Sequence, residues 1–210
     1  MTDGPGIPPP PPPPQASSSN FITRAINILT KPASEWRVIE GEASSTASLI
    51  TYAAILALLA PIFSLLYVLL SPVGSLIFNL PGLLIKMLLL SYLMALLPPI
   101  LLGFILDALT PSLGGVKNSQ NAMKLAIYSG TAYWVGAIGL ILSPWLWLVL
   151  GLGYAGYLLW IGTPILMKTS ADKTPVFVGA AVGIWVVVYI ILNVISQNII
   201  WSSFTYGGMM

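Results

Sequence analysis

Lys86, Asn193 and Gln197 are the residues of this chain whose types best suit the binding of a molecule. Asn193 and Gln197 lie one helical turn apart, a spacing that places both amides on one face of a helix. If they converge with the Lys86 ammonium, the three groups could hold an anionic lipid headgroup or a polar solute. A lysine at a helix end also occurs without any ligand, because its long stem lets the ammonium reach water. Both interpretations are open.

Catalytic chemistry has few side chains to draw on. The chain contains no histidine and no cysteine, and it has only 6 acidic residues. Acid–base catalysis, covalent catalysis and zinc sites use those side chains or clustered carboxylates. Glu35, Glu40 and Glu42 precede the first long apolar run, and we expect them to be solvated. We predict no catalytic residue, no metal site and no cofactor.

Asp107 is the acidic residue that stands at the edge of a long apolar run and close to other elements. Lys117 and Lys124 follow it in the sequence and are suitable partners. We predict an ion pair between Asp107 and one of these lysines at the membrane interface. A gating or transport role for Asp107 is the alternative.

Two glycine patterns have simple explanations in helix packing. Gly151 to Gly156 reads GLGYAG, which matches a dinucleotide-binding fingerprint, but no strand precedes it and no acidic residue follows about 20 residues later. Small residues that let helices approach closely explain this pattern better. Gly179 and Gly183 form a second helix-packing motif. Whether that motif packs within one chain or between two copies is open.

The segments that must position these residues are long and uncharged. No charged residue occurs from Leu125 to Met167, or from Ala43 to Ile85. Each run would form about 65 Å of helix at about 1.5 Å per residue, whereas a bilayer core is about 30 Å thick. Each run is therefore too long for one crossing. Ser143-Pro144 supplies a turn within the first of them, because proline cannot continue the helix.

The fold class that follows is all-α, a membrane bundle of five transmembrane helices preceded by a short amphipathic helix at the interface. Hydrophobic residues make up 57% of the chain and charged residues 7%, against about 25% charged in soluble domains. Prolines 61, 98 and 99 should kink their helices. The predicted crossings are about 47–70, 86–107, the two arms of 121–174 on either side of Ser143-Pro144, and 176–200.

The chain divides into a proline-rich leader over 1–20, a membrane domain over 21–201 and a short tail over 202–210. Polyproline from Pro8 to Pro14 is a solvated spacer or disordered leader, or a ligand for SH3- or WW-like domains. Phe21, Ala25 and Ile28 follow helical spacing, and tryptophan such as Trp36 suits the headgroup level. We predict that 21–40 lies on the membrane surface, with Arg24 on its polar face.

Basic residues indicate the orientation. Five crossings place every one of the 8 lysines and arginines except Lys86 on the side of the N-terminus. Positive residues accumulate on the cytoplasmic side of membrane proteins. We therefore expect the N-terminus in the cytoplasm and the C-terminus outside, most simply in a bacterial inner membrane. The net charge of +2 gives no reason to expect nucleic acid as a partner.

The chain resembles the bacterial branch of the Yip-domain family, five-span proteins named for eukaryotic members that interact with Ypt/Rab GTPases. The resemblance covers about 21–200. It rests on the order and spacing of ILTKPASEWRVIEGE with Pro32 and Trp36, DALTPSLGGVKNSQNAMKLAIYSGTAYW with Gly114-Gly115, and GYAGYLLWIGTPILMK with Tyr154 and Pro164. Two features differ: Ala132 stands where the family often has proline, and the Asp-Leu-Tyr-Gly-Pro signature of eukaryotic members is absent.

The resemblance implies a five-span fold without catalysis and a role in membrane organisation or trafficking-like processes. Membrane lipids are the expected partners, and protein partners or a second copy of the chain are alternatives. The missing signature makes a Rab-type GTPase a doubtful partner. The competing function is a small transporter, channel or lipid-moving protein, in which the proline-broken second span lines a path.

The predicted topology can be tested by labelling cysteines in intact cells, since the natural chain has none. Cysteines placed at Ser75 and Ser203 should react with an impermeant reagent added outside. A cysteine at Ser119 should react only after the membrane is opened. Labelling of the Ser119 variant in intact cells would refute the topology.

Overall fold

The computed structural model describes residues 20–72, 74 and 80–207, and within these the side chains of 81 and 201–207 are excepted. The proline-rich leader, most of the loop after the first crossing and the last residues of the tail therefore lie outside the described residues. The described chain consists of helices joined by loops, without strands, which confirms the predicted all-α class.

The helices are numbered here in chain order. They are α1 Phe21–Thr30, α2 Pro32–Gly41, α3 Thr46–Ala57, α4 Leu59–Leu70, α5 Pro81–Leu109, α6 Ser119–Gly136, a 3-10 turn Ala137–Ile141, α7 Pro144–Trp147, a π-helical turn Leu148–Gly153, α8 Tyr154–Leu166 and α9 Thr174–Gly207. The predicted turn at Ser143-Pro144 is confirmed: Ser143 is extended, its hydroxyl caps α7, and Pro144 begins that helix.

Four helical segments of the described chain are long and apolar enough to cross a membrane: Thr46–Leu70, Gly82–Leu109, Pro144–Leu166 and Thr174–Ile200. The predicted third crossing, α6, is not among them. Its residues from Ala122 to Trp134 are all buried among other helices. Because these residues do not face lipid, they need not be as hydrophobic as those of a lipid-exposed span. Small and hydroxyl residues such as Ser129, Gly130 and Thr131 suit a helix that other helices surround.

Contacts along α6 show that it runs the length of its neighbours. On α5, Gly103 faces Met123, and the indole of Trp134 reaches the carbonyl of Ala95, so the two helices are antiparallel. On the opposite side, the Asn121 amide donates to the Leu166 carbonyl at 3.0 Å. Further along the same pair, Gly136 meets the backbone of Gly151. α6 is thus the central helix, antiparallel to both α5 and α8.

The proline pair of the second crossing does not break its helix: Pro98 and Pro99 both lie inside the continuous α5. Proline lacks an N–H, so Pro99 leaves the carbonyl of Ala95 without its helical donor. The indole N–H of Trp134 supplies that donor from α6 at 2.9 Å. Pro99 also packs its ring against Gly130, where a Cβ would lie 3.2 Å from it. The prolines therefore serve helix packing at this point.

Trp36 corrects the expected position of the N-terminal segment. Its side chain is fully buried in the bundle rather than exposed on the surface, as are those of Ile28 and Ile39. The apolar stripe of α1 and α2 packs on the bundle because α8 offers a slot there. A Cβ at Gly162 would lie only 2.7 Å from the Trp36 ring and 2.8 Å from Leu125.

The predicted packing glycines divide into two groups. Gly151 is buried, and a Cβ there would lie 3.4 Å from the Tyr133 backbone on α6, which is the expected close approach. Gly179 and Gly183 are exposed, and no heavy atom of the described chain lies within 4 Å of a Cβ at either position. Within one copy, these two glycines of α9 therefore make no packing contact.

Gly162→Ala should destabilise the protein, because the new methyl group must displace a rigid indole ring. Overpacking of this kind costs about 1–3 kcal/mol. Gly179→Ala is the matched control: it adds the same methyl in open space and should be neutral or slightly stabilising, since alanine favours helix by about 0.5–1 kcal/mol over glycine. The midpoint of thermal unfolding in mild detergent should fall only for Gly162→Ala. Equal midpoints for the two variants would contradict the slot.

Candidate functional site

A cluster of buried charges joins the N-terminal helices to the bundle. Arg24 of α1 is 4% exposed, and its guanidinium donates to the carboxylates of Glu35 on α2 and Glu42 after α2. The guanidinium also lies over the ring of Tyr128, 5.8 Å from its centre, which adds a cation–π contact. Arg24, Glu35, Glu42 and Lys124 are called the charge cluster below.

Lys124 contributes the second cation of the charge cluster from the central helix α6. It is 1% exposed, and its Nζ donates to the carbonyls of Ile39 at 2.8 Å and Glu42 at 2.6 Å. These carbonyls lie at the C-terminal end of α2, where the helix dipole favours a cation. With two cations and two carboxylates the cluster is neutral, which limits the cost of burying it.

The pKa of Arg24 reflects this arrangement. Burial by itself lowers the pKa, but the hydrogen bond with Glu42 and the charges of Glu42 and Glu35 outweigh it, so the pKa is raised. The guanidinium therefore stays charged over the whole physiological pH range. With its cations hydrogen-bonded in this way, the charge cluster is suited to fastening α1 and α2 to the bundle rather than to proton transfer.

Three expectations from the sequence are wrong at this end of the molecule. Arg24 does not lie on a polar face of α1, and Glu35 and Glu42 are buried or half-buried rather than solvated. The signal was present in the spacing: Glu35 belongs to the same helical stripe as Trp36 and Ile39. A carboxylate within an apolar stripe indicates a buried partner, because an unpaired buried charge is too costly.

The predicted pair of Asp107 with Lys117 or Lys124 is not formed. Lys124 bonds the end of α2 instead, and Lys117 is exposed in the loop before α6. Within the described part of the chain, Asp107 makes no ion pair, and its Oδ1 is buried without a hydrogen-bond partner. The pair with Lys124 does not form because the fold brings the carbonyls at the end of α2 next to the Lys124 ammonium, although α2 is more distant in sequence than Asp107.

The outer side of α1 is apolar and has basic residues around it. Ile22 is 61% exposed and Ile26 54%, one helical turn apart on the side that faces away from the bundle. Lys168 pairs with Glu40 on the surface of this end. Further exposed cations at the same end are Lys31, Arg37, Lys117 and Lys173. A helix with this combination suits the boundary between headgroups and acyl chains.

The polar residues that could converge on a ligand are separated in the structure. Asn193 lines a cavity of about 240 Å³ at the end of the bundle opposite the charge cluster. Lys86 and Gln197 are exposed and are not among the residues that line it. Helix α5 contributes Met87, Leu90 and Ser91 to the cavity wall, and the exposed Lys86 lies beside that face without lining the cavity. Of the three residues of the predicted site, only Asn193 lines the cavity.

The remaining motifs offer no catalytic arrangement. Within the GLGYAG sequence, Gly151 packs closely against α6, as expected. A Cβ at Gly153 would meet no heavy atom of the described chain within 4 Å, and one at Gly156 would lie 3.9 Å from Val182 of α9. Among the residues that the structure describes, no three histidine, cysteine, aspartate or glutamate side chains are grouped as metal ligands would be.

A family model for the Yip1 domain matches residues 26–195. This range contains α2 to α8 in full, the second half of α1, most of α9, and every residue of the charge cluster except Arg24. No curated protein and no solved structure matches the chain.

Arg24→Ala should destabilise the protein strongly, because it leaves Glu35 and Glu42 buried without their cation. Removing one partner of a buried ion pair costs about 3–5 kcal/mol. Arg37→Ala removes an exposed arginine from the same pair of helices and should change the unfolding free energy by less than about 0.5 kcal/mol. Both free energies can be measured by denaturant unfolding in detergent micelles. Similar values for the two variants would show that the cluster does not hold the segment in place.

Proposed function

The chain belongs to the Yip1 domain family, and from this premise we propose that it organises the lipid bilayer around it without catalysing a reaction. In this proposal it is a five-span protein of a bacterial inner membrane with its N-terminus in the cytoplasm. Helix α1 acts as a wedge in the cytoplasmic leaflet. Membrane lipids are its partners, and a Rab-type GTPase is not required.

Five crossings are supported by the course of α6. The ends of α5 and α8 meet, since the N–H of Val116 after α5 donates to the carbonyl of Met167 after α8 at 2.8 Å. A chain that crosses the membrane in α5 must cross again before α8 can return to that side. α6 lies antiparallel to both helices and is in the right place to do so. The charge cluster and most basic residues then share the cytoplasmic end.

The observation that carries the proposal is the exposed pair Ile22 and Ile26 on a helix that the charge cluster locks in position. Full burial of an isoleucine side chain is worth about 1.5–3 kcal/mol. Insertion of this edge into the leaflet therefore gains several kcal/mol. Nearby cations such as Lys31 and Arg37 add about 1 kcal/mol each on an anionic surface.

Rigid attachment is what would turn insertion into an effect on the membrane. A loosely tethered helix could follow the shape of the bilayer, whereas α1 keeps a fixed position through Arg24, Trp36 and the Tyr154 hydroxyl, which donates to the Leu29 carbonyl at 2.6 Å. An apolar edge held in one leaflet favours curved bilayers, because it occupies area on one side only.

The transporter alternative depends on a path along the broken second span. Its prolines are buried in a continuous helix. The carbonyl of Ala95, which Pro99 leaves without a backbone donor, accepts a hydrogen bond from the Trp134 indole. Asp107 is the one acidic side chain with a buried, unpartnered oxygen among the described residues. It is therefore the candidate residue for the transporter alternative. These contacts favour the organising role over transport.

The wedge can be tested with the full chain in vesicles that contain anionic lipid. We expect the natural protein to be enriched on small vesicles over large ones, since high curvature opens space at the headgroup level. Replacing both isoleucines, Ile22→Ser with Ile26→Ser, should abolish that enrichment. Val116→Ser is the control, because Val116 is 60% exposed in a loop at the same end and is not on α1.

Two results would contradict the proposal. One is an unchanged preference for small vesicles in the double variant. The other is passage of ions or a solute across these vesicles that Asp107→Asn abolishes, which would establish the transporter function instead. Spin labels at positions 22 and 26 report insertion separately, since they should collide with oxygen dissolved in the acyl region rather than with a water-soluble relaxation agent.

A further inference from the structure

The cavity lined by Asn193 contains polar side chains that find no hydrogen-bond partner among the described residues. Its walls come from α4, α5 and α9 and from the end of α6, and most of them are aliphatic or aromatic. Within the part of the chain that the structure describes, four side chains in these walls have no hydrogen-bond partner, namely Tyr133, Tyr189, Asn193 and Ser196. Tyr133 is only 3% exposed and Ser196 only 7%.

The polar atoms of these side chains face the space of the cavity, since none of them is enclosed by protein. In a space between membrane-spanning helices, a donor or acceptor that finds no partner costs about 1–3 kcal/mol. Several of them around one space therefore indicate a molecule that brings its own polar atoms.

Helix α5 adds a backbone acceptor to the same region. Pro98 has no N–H, so the carbonyl of Met94 lacks the donor that an unbroken helical ladder would give it. Met94 itself lines the cavity. The two prolines thus have different consequences: the carbonyl freed by Pro99 is bonded by Trp134, and the carbonyl freed by Pro98 belongs to a residue of the cavity wall.

The walls restrict the chemistry of the occupant. Among the described residues that line the cavity there is no lysine, arginine, aspartate or glutamate, so they offer a charged headgroup no counter-charge. Its volume of about 240 Å³ far exceeds the roughly 10–15 Å³ that a single water needs. It is smaller than the about 300–1,000 Å³ of a site that encloses a whole drug-sized ligand. A slender apolar chain with a neutral polar group attached fits both limits.

We propose that this cavity binds one ester group of a membrane lipid together with the adjoining part of its acyl chain. The chain lies between the aliphatic faces of α4 and α5. Tyr133, Asn193 and Ser196 donate hydrogen bonds to the ester oxygens. The headgroup remains outside the cavity, so its charge does not determine binding. The site is independent of the wedge at the other end of the molecule.

Binding can be measured by native mass spectrometry of the full chain, titrated in mild detergent with dioleoylglycerol as the probe. We expect one tightly retained molecule per protein. The double variant Tyr133→Phe with Asn193→Leu should bind about tenfold more weakly, as expected for hydrogen bonds together worth about 1.4 kcal/mol. The matched control is Tyr157→Phe with Asn198→Leu, since both residues are exposed to the outside of the bundle.

A second variant helps to distinguish a loss of lipid binding from a loss of the fold. Ser64→Phe fills the cavity from α4, where Ser64 is half-buried, without removing any of the unpaired polar groups, and it should also reduce retention of the probe. Thermal unfolding midpoints identify variants whose fold is intact. Reduced retention by two folded variants, with normal retention by the control, supports the site.

Comparison ligands distinguish this site from other modes of binding. Dioleoylphosphatidylglycerol should be retained as tightly as dioleoylglycerol, because the site does not recognise the headgroup. Hexadecane, which has the chain without polar atoms, should be retained at least tenfold less tightly. Equal retention of hexadecane would overturn the proposal, and so would a preference for the anionic lipid that Lys86→Ala removes. Retention of the probe by neither the natural chain nor the control would show that the cavity holds only water.

Discussion

The structure depends on a buried charge that cannot be left unpaired. Arg24 lies inside the protein near the end of a membrane bundle, and it is stable there because Glu35 and Glu42 accept its hydrogen bonds. A carboxylate or guanidinium removed from water without a partner costs several kcal/mol. The demand for pairing fixes the angle between α1 and α2. It also brings the end of α2 to Lys124 on the central helix.

Once α2 is fixed, the packing around it follows. Trp36 enters the slot that Gly162 leaves on α8, and the apolar side of α1 covers the bundle. The other side of α1, with Ile22 and Ile26, is not covered by the part of the chain that the structure describes. The proposed wedge is thus a consequence of the charge cluster, because the same hydrogen bonds that bury one face of α1 determine which face is left for lipid.

The opposite end of the bundle contains uncharged polar groups that lack hydrogen-bond partners among the described residues, instead of paired charges. Prolines in α5 remove two backbone donors, and the neighbouring Trp134 replaces one of them. The other missing donor concerns the carbonyl of Met94, a residue that lines the cavity together with uncharged polar side chains. The molecule therefore combines a neutral cluster of ions at one end with an uncharged cavity at the other. Ionic contacts hold the first, and a neutral lipid fragment suits the second.

The amino-acid sequence by itself determined the class of the protein, its uncharged runs, the turn at Ser143-Pro144 and the family to which the chain belongs. These depend on composition and local chemistry: hydropathy sets where a chain meets lipid, and proline acts on its own helix. The tertiary structure decided which polar residues meet. Lys124 bonds the end of α2 and not Asp107, and Asn193 lines a cavity that Lys86 does not line. Such partners depend on how helices that are distant in sequence pack and rotate against one another.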